Sequence, residues 1–218
     1  MARKKNKAIY DIYYSEMTGE MFPVKEKSKP IVDGNLVFQP IDKDSCKLIK
    51  YKSLSKIKKV LEIPDKVKGM NVISIGDKAF SSIEGLKKVV LPNNLIEICP
   101  RAFGWCLDLS EINLPETLKY IGYWAFESCY KLFNNTNIFD MPDNLEIIGI
   151  SAFSDCHDIH KIILGRNLKY IGNAGFSGCF NLKYVSFEKN RTARLGRGVF
   201  YNCTQLKTTS DDVDMSII

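Results

Sequence analysis

The residue types in this sequence that could support chemistry are its seven cysteines and two histidines. Cys156, His157 and His160 lie close together, with Asp155 and Asp158 beside them, and such side chains can bind a metal ion. Five of the cysteines are evenly spaced, unlike the paired Cys-x-x-Cys of a zinc site or the pattern of a disulfide framework. These five are Cys106, Cys129, Cys156, Cys179 and Cys203. Even spacing indicates that each occupies the same position of a repeated unit.

The repeat is marked most clearly by a phenylalanine. Its copies are Phe80, Phe103, Phe126, Phe153, Phe176 and Phe200, separated by 23, 23, 27, 23 and 24 residues. A period of this length is typical of a solenoid, in which each repeat buries its apolar face only against its neighbours. We therefore expect six stacked coils, each advancing by roughly 4.8 Å, the spacing of neighbouring strands.

The position that each cysteine and histidine occupies in the repeat indicates whether it packs in the core or could bind a metal. Ile83 fills the cysteine position of the first repeat, and an apolar substitute favours a packing role, since a buried free Cys behaves as a small hydrophobe. Disulfides between adjacent coils and metal binding remain as alternatives. A column of reduced thiols would suit a cytoplasm. His157 and His160 occupy variable positions equivalent to Leu107 and Ser110, so we predict no metal site.

Catalytic motifs are missing from the sequence. It has no Gly-rich phosphate loop, no Gly-x-Ser-x-Gly elbow and no His-Glu-x-x-His helix. A nucleophile and its base would have to come from variable repeat positions, with only two histidines to serve as base. We predict a protein without enzymatic activity, catalytic residues or a cofactor.

One repeat can be read residue by residue. Ile112 and Leu114 flank a polar residue with the period of two of a half-buried strand, and Pro115 ends that strand because it has no N–H to donate. Gly122 permits a sharp turn. Ala125 and Phe126 then predict one helical or 3₁₀ turn that places a large ring in the core.

These units resemble the repeats of the BspA-like leucine-rich-repeat family, of the form Leu-x-x-Ile-x-Leu-Pro-x-x-Leu-x-x-Ile-Gly-x-x-Ala-Phe-x-x-Cys, over residues 72–207. The resemblance implies a mainly β, right-handed superhelix of about six coils with short helical or 3₁₀ turns and an N-terminal β cap. It also implies adhesion to host or matrix proteins for exported members and a scaffold role inside cells. The sequence departs from the pattern at Ile83, Cys99, Gly165 and Val199.

The chain divides into four parts by composition and repeat. They are a basic N-terminal extension (residues 1–30), a β cap (31–71), the solenoid (72–209) and a C-terminal tail (210–218). Residues 8–30 fit a hairpin that turns at Thr18 and Gly19, or a short helix. The tail is either disordered or a C-terminal cap. The third repeat carries four extra residues around Asn134 to Asn137, which form either a tolerated bulge or a loop on a binding face.

Charge and hydropathy limit the possible functions. Residues 1–70 hold 16 Lys and Arg against 9 Asp and Glu, whereas residues 71–218 hold 15 against 16. The near-neutral repeats give little support for binding nucleic acid, so only residues 1–70 suggest a nucleic-acid-associated subunit, which is the alternative function. No apolar run is long enough to span a membrane, and no signal peptide is apparent. The sequence as written predicts a cytoplasmic protein, or a cell-surface or secreted one if a native leader precedes it.

The positions that vary between coils define the candidate protein-binding surface. On the strand face these are Lys88, Val90, Glu111, Asn113, His160, Lys161, Ile163, Lys183 and Tyr184. On a second edge, Tyr120 and Tyr170 occupy equivalent positions, with Trp124 nearby. This edge is either a self-stabilising ladder of stacked side chains or a binding patch rich in aromatic residues. The main prediction is a non-enzymatic interaction module that binds a protein partner of unknown identity.

Overall fold

The computed structural model describes residues 28–52, 59–136, 138–187, 189–190 and 192–207. The predictions made for residues 8–27 and for the tail, 210–218, lie outside this range. Among the described residues no helix is long and apolar enough to cross a membrane.

The described chain is built from short strands joined by tight turns. In chain order the strands are β1 (Ile31–Asp33), β2 (Leu36–Pro40), β3 (Ser45–Tyr51), β4 (Val60–Glu62), β5 (Lys66–Val67), β6 (Met70–Ile75), β7 (Lys88–Val90), β8 (Glu97–Ile98), β9 (Glu111–Ile112), β10 (Tyr120–Ile121), β11 (Ile138–Asp140), β12 (Ile147–Ile148), β13 (Lys161–Ile163), β14 (Tyr170–Ile171), β15 (Tyr184–Ser186) and β16 (Arg194–Leu195).

One long sheet runs the length of the solenoid. Strands β6, β8, β10, β12, β14 and β16 pair in parallel, one from each coil. Strands β1, β2 and β3 extend this sheet as an antiparallel meander, and β3 joins β6 in parallel. The predicted solenoid is therefore confirmed, and the strands expected before the first repeat continue its sheet.

The opposite side of the solenoid carries two shorter sheets, β4-β7-β9 and β11-β13-β15, which we call the second and third sheets. Within the described residues, β9 pairs with β7 but not with β11. The four extra residues of the third repeat lie at this break, so the insertion divides one potential sheet into two.

The core between the sheets is organised around the repeated phenylalanines. All six rings are buried, with at most 3% exposure, and they stack face to face with centroids 5.1–6.0 Å apart. A ring in the middle of the column therefore packs against one ring above and one below. This continuous contact stabilises each coil through its neighbours, as the repeat pattern predicted.

The turn around each phenylalanine differs from the helical or 3₁₀ turn predicted from the sequence. Trp124 and Ser128, two residues before and after Phe126, have positive φ angles of 55° and 58°, and the equivalent residues of the other coils do the same. The amides of Trp124 and Ser128 donate to backbone oxygens of the next coil at 2.9 and 2.8 Å. Left-handed residues interrupt a helix, but here they turn the amides toward the next coil, which satisfies them.

The strand predicted over Ile112–Leu114 is also shifted. The structure places β9 at Glu111–Ile112, and the Asn113 side chain replaces part of the backbone ladder. Its Oδ1 accepts from the Leu91 amide at 2.7 Å, and its Nδ2 donates to the Leu91 oxygen at 3.3 Å. Asn113 is therefore a structural residue as well as an outward-facing one.

Gly149 is required because adjacent coils approach closely behind the long sheet. A Cβ added to Gly149 would lie 2.5 Å from the backbone nitrogen of Tyr123, a distance that requires the backbone to move. We expect Gly149→Ala to lower the free energy of unfolding by about 1–3 kcal/mol, measured by urea denaturation.

Gly104→Ala is the control for this prediction, because its new Cβ would lie 3.2 Å from the nearest atom, the Trp124 oxygen. It should cost clearly less than Gly149→Ala. Equal losses for the two variants would show that the close approach of the coils is not the cause.

Candidate functional site

The evenly spaced cysteines form a column inside the solenoid. Each thiol donates a hydrogen bond to the backbone oxygen of the phenylalanine in the preceding coil. The bonds run from Cys106 to Phe80, Cys129 to Phe103, Cys156 to Phe126, Cys179 to Phe153 and Cys203 to Phe176, at 3.0–3.3 Å. All seven cysteines are buried and unpaired. The column therefore joins coils through thiol hydrogen bonds and packing, which favours the structural interpretation.

Cys203 has a lowered pKa, because the neighbouring Cys179 thiol stabilises its thiolate through a hydrogen bond. Burial has the opposite effect on the other thiols of the column and on Cys46, which lies outside it. It raises the pKa of Cys106 to about 12 and that of Cys46 to about 11. An unfolded thiol has a pKa near 8.5. Below that pH both states keep the proton, whereas above it only the unfolded state loses it. The contribution of these raised pKa values to the free energy of unfolding is therefore complete below about pH 8.5. It is lost as the pH rises toward the pKa of the folded state.

We expect the free energy of unfolding to fall steadily between pH 9 and 11, by about 1.4 kcal/mol per pH unit for each such thiol. Urea denaturation under reducing conditions at several pH values measures this slope. Cys106→Ala is the matched variant, and its slope should be shallower by the contribution of one thiol. An unchanged slope would contradict the prediction.

The histidines lie outside this column, as the repeat register predicted. His157 stacks between Tyr130 and Phe180, with ring centroids 4.6 and 4.7 Å apart. His160 Nδ1 lies 2.9 Å from the backbone oxygen of Asp158. Within the described ranges, no group of three or more His, Cys, Asp or Glu side chains is placed to hold a metal ion.

The Tyr130–His157–Phe180 stack itself was missed by the sequence analysis. Its members all lie four residues after a repeated phenylalanine, which is the signal that could have revealed it. Leu107, 40% exposed, occupies the same position in the second coil, and Phe180 is 38% exposed. The stack is a partly exposed aromatic ridge along one edge of the solenoid.

The structure gathers part of the predicted strand face into a groove. Lys88 and Val90 lie on β7, Glu111 lies on β9, and Asn113 follows it. The Lys88 ammonium forms an ion pair with the Glu111 carboxylate at 2.9 Å. The groove has a volume of about 470 Å³ and is lined by Lys88, Val89, Val90, Ser110, Glu111, Ile112, Asn113, Phe133, Asn135 and Thr136.

The insertion of the third repeat forms one wall of this groove. The Phe133 amide donates to the Ser110 oxygen at 3.1 Å, and the Asn135 side chain donates to Glu111. The Phe133 ring stacks on the buried Phe139 with centroids 4.6 Å apart. The loop is therefore held against β9 by backbone, side-chain and ring contacts. Phe133 was not among the predicted site residues, although an aromatic residue beside an insertion in a repeat could have indicated it.

The remaining strand-face residues lie away from the groove. Lys161 and Tyr184 pair in register on β13 and β15 of the third sheet, with Ile163 on the same strand as Lys161. Lys183 and His160 precede these strands, and the Lys183 amide donates to the His160 oxygen at 2.8 Å. The predicted ribbon thus consists of two patches separated by the insertion.

The predicted tyrosine edge lies on the long sheet, opposite the groove. Tyr120, Ile147 and Tyr170 pair in register on adjacent strands. Tyr120 is half-buried, whereas Tyr170 and Ile147 are only 8% and 5% exposed. Burial raises the pKa of both tyrosines. The burial of Tyr170 and Ile147 and their register favour the ladder interpretation of this edge over the binding patch.

Trp124 lies on a turn and is fixed by its neighbours. The Arg101 guanidinium lies 4.1 Å from the centroid of the Trp124 ring, and Tyr123 meets that ring edge-on at 4.9 Å. Such contacts hold the half-buried ring in place. Trp124 and Tyr120 therefore do not belong to the groove surface.

Comparison with known proteins agrees with this architecture. A family model for the BspA type leucine rich repeat region matches residues 50–138 and 131–211 in six copies. The crystal structure of a Treponema pallidum leucine-rich repeat protein is similar, with a TM-score of 0.68 and 26% identity over 82% of this chain and 91% of that chain.

A leucine-rich cell surface protein from Faecalibacterium prausnitzii has the same fold, with a TM-score of 0.64 and 21% identity over 85% of this chain and 55% of that chain. A search of curated proteins found no match. Because the repeat model covers most of the chain, this protein belongs to the family of BspA-type leucine-rich repeat proteins.

Proposed function

We propose that this chain is a non-enzymatic interaction module that binds a partner protein through the outward face of its solenoid, centred on the groove beside β9. The observation that supports this best is the sheet edge inside the groove. β9 pairs with β7 on one side, and the insertion interrupts the pairing that would continue toward β11. The Phe133 amide occupies the Ser110 oxygen just before β9, and the rest of such an unpaired strand edge can accept an extended segment of another chain as an added strand.

The groove has the chemistry of such a contact. Val90, Ile112 and Phe133 supply apolar surface, and the ion pair of Lys88 and Glu111 supplies polar groups at its rim. An apolar centre with a polar rim is the usual anatomy of a protein interface. The volume of about 470 Å³ falls in the range of roughly 300–1,000 Å³ found for binding sites.

The proposed interaction could take place outside or inside the cell. For an exported protein the proposed role is attachment to a host or matrix protein, and for an intracellular one it is a scaffold in a complex. The nucleic-acid alternative depends on the basic residues 1–70, many of which lie outside the described ranges, and the comparisons give it no support.

The test is a pull-down from the native organism with the purified full chain, followed by an affinity measurement on the recovered partner. Lys88→Glu places a second carboxylate beside Glu111 and should weaken binding about tenfold or more, which corresponds to about 1.4 kcal/mol. Lys161→Glu is the matched control, because it makes the same charge change at an outward-facing position of the third sheet.

A partner that binds wild type and Lys161→Glu but not Lys88→Glu would place the interaction at the groove. Equal binding to all three proteins would contradict the groove as the site. Recovery of nucleic acid alone, lost when salt is raised, would favour the alternative function.

A further inference from the structure

The last two coils of the solenoid bring two cysteines of the column together. The Gly178 amide, next to Cys179, donates to the Tyr201 oxygen of the last coil at 2.8 Å, so the two coils are held in register here. Equivalent positions of coils stacked in this way lie about 4.8 Å apart, the spacing of neighbouring strands. A disulfide needs roughly 4.4–6.8 Å between its two Cα atoms. Cys179 and Cys203 occupy equivalent positions, so a bond between their sulfurs fits the stacking of the coils.

Cys203 differs from the other thiols of the column in its access to solvent. It is 8% exposed, whereas Cys106, Cys129, Cys156 and Cys179 are 0% exposed. Cys203 is also the last cysteine of the sequence, so it has a column neighbour on one side only. An oxidant dissolved in water therefore reaches the column at this end first.

The two thiols of this pair also interact with each other. The Cys179 thiol stabilises the Cys203 thiolate through a hydrogen bond, which lowers the pKa of Cys203. Burial raises the pKa of Cys179 well above its ordinary value. The thiolate is the form of cysteine that attacks an oxidant. Cys203 therefore has the properties of a first attacking thiol, and Cys179 lies in place to react with its oxidised form.

We propose that Cys203 and Cys179 are a redox-sensitive pair, which a hydroperoxide oxidises to a disulfide between the last two coils. The Cys203 thiolate attacks one peroxide oxygen, so that an S–O bond forms and the O–O bond breaks, and the other oxygen leaves with a proton as an alcohol or water. The Cys179 sulfur then attacks the sulfenic sulfur of Cys203. The S–S bond forms and the S–O bond breaks, releasing water that carries the Cys179 proton. The two thiols lose two electrons in total, and the hydroperoxide gains them.

The disulfide changes how the last coil is held. Each thiol loses the hydrogen bond that it donates to a phenylalanine oxygen of the preceding coil, at 3.3 Å for Cys179 and 3.2 Å for Cys203. A covalent bond replaces them where the ring column is most widely spaced, at 6.0 Å between Phe176 and Phe200. The inference goes beyond the proposed function, because the groove beside β9 contains none of these residues.

The test treats the reduced full chain with hydrogen peroxide, alkylates the remaining thiols in denaturant and maps the tryptic peptides by mass spectrometry. Trypsin places each cysteine of the column on its own peptide, because a lysine or arginine lies between each neighbouring pair. We expect a disulfide between peptides 170–183 and 198–207 that dithiothreitol reverses. The peptides of Cys106, Cys129 and Cys156 should remain alkylated.

Two matched variants separate this pair from the rest of the column. In Cys179→Ala the disulfide cannot close, so the sulfenic acid of Cys203 should persist and react with dimedone. Cys129→Ala removes a thiol from the middle of the column and should form the disulfide as wild type does. Circular dichroism checks that both variants fold.

Alkylation of the native wild-type protein provides a measurement that needs no variant. Iodoacetamide should label Cys203 about tenfold or more faster than Cys129. Equal labelling rates would overturn the proposal. Oxidation of wild type without a Cys179–Cys203 disulfide, a disulfide between two molecules, or one between Cys129 and Cys156 that forms as fast would overturn it as well.

Discussion

Replacing Phe153 with alanine is expected to lower the free energy of unfolding by about 3–5 kcal/mol, the usual cost of truncating a buried phenylalanine. The ring is fully buried and stacks on Phe126 and Phe176 with centroids 5.1 Å away on each side. It also contacts Phe139 at 5.0 Å. Its removal leaves a cavity between two coils that rigid neighbours cannot fill.

Urea denaturation followed by circular dichroism measures this loss. Tyr201→Ala is the surface control, because Tyr201 is 70% exposed, and it should change stability by no more than about 0.5 kcal/mol. Phe200→Ala tests the repeat logic, since Phe200 stacks on Phe176 at the longest separation of the column, 6.0 Å. It should cost less than Phe153→Ala. A cost for Phe153→Ala as small as that of Tyr201→Ala would contradict the role of the ring column.

The repeat core could be predicted from the sequence because it is periodic. The recurring phenylalanines and cysteines fix the number of coils, and Ile83 indicates that the cysteine position is apolar. The structure explains the preference for cysteine at this position. A thiol is small and apolar enough for the core, and it can donate to a phenylalanine oxygen in the preceding coil.

The turn conformation could not be predicted in the same way. An Ala-Phe pair such as Ala125–Phe126 fits a helical turn by local preference. Positive φ at Trp124 is unfavourable for a non-glycine residue by about 1–2 kcal/mol, and the hydrogen bond from its amide to Ile150 in the next coil offsets this cost. Such contacts depend on how adjacent coils stack on each other, and the sequence of one repeat does not indicate this.

The candidate site was predicted only in part for a related reason. The alternation of inward and outward side chains along a strand identified the outward-facing residues of the groove, which are Lys88, Val90, Glu111 and Asn113. Whether the insertion would bulge outward or interrupt the sheet depends on how Phe133 packs on Phe139, a tertiary contact. The burial of Lys47 on the long sheet also depends on tertiary structure, because strand alternation places both Lys47 and Lys88 outward, yet Lys88 is exposed and Lys47 is buried.

The buried ion pair of Lys47 and Glu97 gives the second large expected effect. Lys47 Nζ lies 3.8 Å from Glu97 Oε2, and the two side chains are 1% and 6% exposed. Ser74 Oγ also donates to Glu97 Oε2 at 2.8 Å, so the pair connects β3, β6 and β8. Lys47→Met removes the cation that lies 3.8 Å from this buried carboxylate, and we expect a loss of about 3–5 kcal/mol in the free energy of unfolding.

A double-mutant cycle separates this pair from ordinary surface pairs. Lys47→Met alone leaves the Glu97 carboxylate buried without the Lys47 charge, whereas adding Glu97→Gln removes that carboxylate. The double variant should therefore lose less unfolding free energy than the sum of the two single variants, by about 2 kcal/mol or more. Lys88→Met and Glu111→Gln form the control cycle. Their charges are closer, at 2.9 Å, but the side chains are 45% and 40% exposed, so the coupling should stay below about 1 kcal/mol. If the two cycles gave equal coupling energies, burial would not be what makes the Lys47–Glu97 pair strong.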